Sequence, residues 1–83
     1  MMTSHLLKNG EVVGDLIPSD IHHLPLHREE CWHDCTVVTN RRVEAARATD
    51  VFGIKTLAGV FPFCVTRSRI GVDGWDVEGK VLY

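Results

Sequence analysis

Every second position along residues 75–83 is apolar or small: Trp75, Val77, Gly79, Val81 and Tyr83, with Asp76, Glu78 and Lys80 between them. A period of two marks a strand with one face buried and one wet, because successive side chains leave a pleated backbone on opposite sides. The chain must therefore contain a sheet with one covered face. Asp73-Gly74 just upstream supplies the turn that joins this strand to an earlier one.

The same logic finds a second hairpin at the N-terminus. Asn9-Gly10 tolerates the two positive φ angles of a type I′ turn and separates residues 5–8 from 11–13. The returning strand runs through Asp15, Leu16 and Ile17 and stops at Pro18, which has no N–H for a ladder. Thr36-Val37-Val38-Thr39 is β-branched throughout and reads as a further strand. Ile54, Leu57, Val60, Phe61, Phe63 and Val65 are the expected core of the apolar stretch beyond Gly53, with pairing interrupted at Pro62 and resumed at Phe63. From there Val65 should face inward, with Cys64, Thr66 and Ser68 on the other face.

Two segments read as helices. Residues 25–34 have proline at the first helical turn, no glycine and no β-branched side chain. Residues 41–49 carry alanine at 45, 46 and 48, with Asn40 as cap; a hairpin across Asn40-Arg41 is the rival. The expected fold is α+β: a small antiparallel sheet of about five strands, with N- and C-terminal hairpins and one or two short helices packed on one face.

Length limits what such a fold can bury. The chain has 83 residues, enough for a single domain over 1–83 whose interior is small, so self-association as a homodimer or higher oligomer is expected. With 45% hydrophobic and 24% charged residues it lies away from disordered compositions. No secretory leader or run of apolar residues long enough for a membrane span is visible, and three cysteines are an odd number. Together these imply no membrane and a reducing, cytoplasmic location.

Chemistry concentrates in HHLPLHREECWHDC, where His22, His23, His27, Cys31, His33 and Cys35 fall together. Imidazole and thiolate are the donors zinc prefers, and on a helix His27, Cys31 and Cys35 would share a face at intervals of four. With Cys64 or His33 as the fourth ligand they make a candidate structural zinc site. The Cys-x-x-x-Cys spacing is looser than a zinc knuckle, and buried packing cysteines explain the same residues. A cysteine nucleophile with a histidine base, Cys31 or Cys35 beside His27 or His33, is an enzymatic alternative that would need a site shared across a dimer.

Net charge is only −2, but Arg41, Arg42, Arg47, Lys55, Arg67 and Arg69 gather between acidic ends. Nucleic-acid domains carry a basic excess that is lacking here, so pairing with the chain's own acidic ends is favoured over nucleic-acid binding, and the same arginines could meet an acidic protein partner. No glycine-rich loop opens a helix, which removes the common phosphate motifs. Trp32, Arg41, Arg42, Arg67 and Arg69 are therefore the candidate binding residues; Trp75 and Tyr83 are aromatics of the same contact-forming type, but the otherwise apolar strand face of Trp75 favours core packing for it. The sequence favours a binding or accessory module, acting as a homo-oligomer and without a cofactor, over the zinc domain and the enzyme.

Overall fold

The computed structural model describes residues 4–17, 31–44 and 46–82. Within them lie β1 (His5–Lys8), β2 (Glu11–Asp15), β3 (Trp32–Thr39), β4 (Phe52–Thr56), β5 (Gly59–Ile70) and β6 (Trp75–Leu82). These pair antiparallel in one sheet, ordered β2-β1-β4-β5-β6-β3. No helix occurs among the described residues. The α+β expectation is thus overturned: the described fold is all-β.

The sheet curls until its two edges meet. Leu16 bridges Thr39, Ile17 N–H donates to Val38 O at 2.9 Å, and Asn40 N–H donates to Asp15 O at 3.0 Å. Asn40 reinforces the seam by accepting from Asp15 N–H on its Oδ1 at 2.8 Å, while Asp15 Oδ1 lies 2.8 Å from His5 Nδ1. Inside the resulting barrel-like sheet Leu6, Leu16, Val37, Val43, Phe52, Ile54, Phe63, Val65, Val77 and Val81 form the core. Burying side chains of this size is worth about 1.5–3 kcal/mol each, before the entropy of ordering them.

Both turn dipeptides lie in connections between strands, though only one has the expected form. Asn9 and Gly10 have φ of 52° and 85°, as a type I′ turn requires. The β5–β6 connection is instead closed by Gly71 N–H donating to Gly74 O at 2.7 Å.

Of the helix expected over 25–34, residues 25–30 lie outside the described residues, and Trp32–Thr39 is strand. All eight residues of β3 pair with β6, from Trp32↔Leu82 to Thr39↔Trp75. An inner row of Val77, Gly79 and Val81 needs a partner strand along its whole length, and that pairing overrides weak local helix propensity. His33, Cys35, Val37 and Thr39 consequently share a face, at intervals of two.

The second expected helix is absent as well: among 42–44 and 46–50 the backbone has no regular structure. Val43 is buried in the core at 6% exposure, and a turn is tied further on by Arg47 N–H to Asp50 Oδ2 (2.9 Å) and Asp50 N–H to Arg47 O (3.0 Å). These anchors outweigh an alanine preference worth tenths of a kcal/mol per residue. The Arg47 N–H also holds the Asp50 carboxyl below its ordinary range, aided by Asn9 and Lys8 and opposed by desolvation.

Pro62 does not interrupt β5, which contradicts the expected break. β5 pairs with β4 through Phe63 and with β6 from Phe63 onward, so at Pro62 it has one neighbouring strand, as at a sheet edge. Thr66 is bulged, since Val65 pairs with Gly79 and Arg67 with Glu78. The bulge reverses the alternation. Ser68 therefore pairs with inward-facing Val77, not on the face of Cys64 as expected, and Arg67 and Arg69 pair with outward-facing Glu78 and Asp76.

On the outside, Val12, Leu7, Gly53 and Pro62 stand in register across four strands as an apolar row. Cα atoms of the described residues have a radius of gyration of 11.8 Å. Among the described residues there is no helix long and apolar enough to cross a membrane.

Candidate binding cleft

Past the seam at Asn40 the backbone crosses one end of the barrel. Buried Val43 anchors the crossing, and its neighbours Arg42 and Glu44 are exposed. Arg42 Cζ stands 5.8 Å from the centroid of the Trp75 ring, within cation–π range and worth about 0.5–1 kcal/mol at an exposed site. Between this crossing and β5 lies a cleft of about 460 Å³. Val43, Ala46, Val65 and Trp75 supply its apolar lining; Arg42, Glu44, Thr66, Arg67 and Ser68 line it too.

Its polar groups differ in how they are satisfied. Thr66 Oγ1 donates to Glu78 O at 3.1 Å. Ser68 Oγ is buried with no hydrogen-bond partner among the described residues. Such a hydroxyl forgoes about 1–3 kcal/mol relative to water. Arg69 pairs with Glu78 at 3.1 Å, whereas Arg42 and Arg67 have no ion pair among the described residues. Two guanidinium groups thus stand at a partly apolar cleft with no carboxylate paired to either among the described residues.

Of the candidate binding residues, the structure brings Arg42 and Arg67 together at this cleft. Arg41 is exposed beside it in sequence, Arg69 is engaged by Glu78, and Trp32, at 50% exposure, begins the far end of β3. Seven residues of strand, roughly 23 Å, separate Trp32 from Thr39. Glu44, Thr66, Ser68 and Trp75 were not among the expected site residues. From sequence, the otherwise apolar face of its strand points Trp75 toward the core; the others depend on the bulge and the crossing segment.

The proposed metal ligands are not gathered. Cys31, just before β3, has its Sγ 3.0 Å from His33 Nε2, so one thiol–imidazole pair of the enzymatic alternative is brought together, at an exposed position. Cys35 is half-buried and packs against the core. Four positions of extended backbone place it roughly 13 Å from Cys31, beyond the Cα separations of about 4.4–6.8 Å that a disulfide spans. Cys64 pairs in register with Lys80 and faces outward, on the opposite side of the sheet from Val65 and Gly79. No disulfide links Cys31, Cys35 and Cys64, and the described residues contain no group of three His, Cys, Asp or Glu side chains placed to hold a metal ion. His27 lies outside the described residues. No family model matches this protein, and no curated protein or solved structure matches it either.

Proposed function

We propose that this protein is a binding module that receives an acidic segment of a protein partner at the cleft formed by the crossing around Val43, β5 and the start of β6. The observation that carries the reading is the pair Arg42 and Arg67, which line one cleft without an ion pair among the described residues. Opposite charge would raise the association rate, and desolvation beside Trp75 would strengthen each contact. A cytoplasmic location is part of this proposal, supported by a cysteine count of three, an odd number that fits a reducing compartment better than a disulfide framework.

The test is calorimetric titration with an Asp/Glu-rich peptide amidated at its C-terminus. Arg42→Ala and Arg67→Ala are each expected to weaken binding about tenfold, and affinity should fall as salt rises. Equal affinity for a lysine-rich peptide, or no loss in either variant, would refute the reading.

Self-association is the second proposal. It is favoured by the apolar row Val12, Leu7, Gly53 and Pro62 on the outer face, where Val12 is 49% exposed. Native mass spectrometry of untagged protein should show a dimer or larger species that Val12→Lys shifts toward monomer. A monomer at all concentrations would contradict it.

A further inference from the structure

We infer that the cleft is a seat for one carboxylate, which Ser68 receives on the inside and the guanidinium groups of Arg42 and Arg67 flank at the rim. This rests on the acidic-partner reading and narrows it to a chemical group. Three observations carry it.

First, the charges lining the cleft are those of Arg42, Arg67 and Glu44, a single net positive charge. A monoanion neutralises that charge; a phosphate dianion would exceed it.

Second, Ser68 Oγ is buried and unpartnered among the described residues, although Ser68 lines the cleft. A rotation about χ1 between staggered wells turns the hydroxyl toward the cleft. There an acceptor supplies the hydrogen bond that the folded protein does not.

Third, the cleft penalises surplus charge. Val43 and Val65 are among its lining residues and offer no side-chain donor. A carboxylate has two oxygens, one to accept from the hydroxyl and one to accept from a guanidinium. A phosphate dianion brings a second charge beside those apolar side chains, where burying charge is costly.

The carboxylate can come from an Asp or Glu side chain or from the C-terminus of a polypeptide. Both present the same group.

The experiment is a titration of the full-length ¹⁵N-labelled protein followed by amide and indole resonances. Its probes are propionate, propionamide and inorganic phosphate at constant ionic strength. Propionate is expected to shift the Thr66 and Ser68 amides and the Trp75 indole saturably, in roughly the millimolar range, with propionamide and phosphate at least about tenfold weaker. Ser68→Ala should weaken propionate about tenfold, the worth of one hydrogen bond to a charged acceptor. Its melting temperature should be no lower than that of the parent, because it removes an unsatisfied hydroxyl.

Two peptides then separate the sources: the amidated Asp/Glu-rich peptide, and one without acidic side chains but with a free C-terminus. Binding of either that depends on Ser68 supports the seat and names the source, and binding of neither overturns it. Phosphate or propionamide binding as tightly as propionate overturns it too. If the acidic peptide binds regardless of Ser68 and propionate is silent, the seat fails and the acidic-partner reading stands. Should only the free-C-terminus peptide bind, and through Ser68, the seat stands and that reading fails.

Discussion

Gly79→Ala is expected to destabilise the fold by about 3 kcal/mol or more, lowering the melting temperature of a domain this size by roughly 12–24 °C. Gly79 stands in the middle of β6, paired with Cys35 on one side and Val65 on the other. A Cβ there would overlap the Cys64 carbonyl oxygen, lie 2.9 Å from the carbonyl carbon and 3.0 Å from Phe63 Cζ. Two of these atoms are backbone in the neighbouring strand, so relief requires β5 and β6 to move apart. Gly10→Ala is the control: nothing lies within 4 Å of its Cβ, and only the positive φ is strained, at about 1–2 kcal/mol. Equilibrium urea unfolding checks both, and a Gly79→Ala protein as stable as Gly10→Ala would show that the two strands do not approach as described.

Removing the ring that lies over Gly79 should be of similar size. Phe63 is 3% exposed and is the residue at which β5 passes from its ladder with β4 to its ladder with β6. Phe63→Ala deletes a buried aromatic side chain and leaves a cavity where two ladders join, for an expected loss of about 3–5 kcal/mol. That is comparable with the whole stability of many small domains. Phe63→Leu should retain a substantial part of it. Urea unfolding monitored by circular dichroism measures the series, and a loss below about 1 kcal/mol for Phe63→Ala would place the ring outside the core.

What could be read in advance follows from how local each signal is. The alternation of Trp75, Val77, Gly79 and Val81 and the Asn9-Gly10 turn are set by pleat and by φ preference, and both match the structure. Residues 32–35 lack a β-branched side chain, so their strand state comes from pairing with β6, more than forty positions away. No local pattern encodes that partner. Pro62 misleads for a similar reason, since it is compatible with β5 only because the two ladders meet at Phe63.

The site shows the same division. Arginines 42 and 67 are recognisable by type, but their meeting at one cleft requires the barrel to close at Leu16 and Thr39 and the backbone to cross at Val43. Simple alternation puts Ser68 on the wrong face because a single bulged residue, Thr66, reverses every side chain after it. The His/Cys cluster draws attention by density. On a strand its cysteines are spread along the backbone, and Cys64 faces away from them.

The central claim is that a partner's acidic segment docks beside Trp75, and the fluorescence of that residue tests it most directly. The protein has two tryptophans, so Trp32→Phe leaves Trp75 as the sole reporter, with Arg42 over its ring. Titration with the amidated Asp/Glu-rich peptide is expected to change Trp75 emission saturably, and Arg42→Ala in the same background should remove most of the change. Emission that stays flat while calorimetry records binding would place the partner elsewhere and contradict the account.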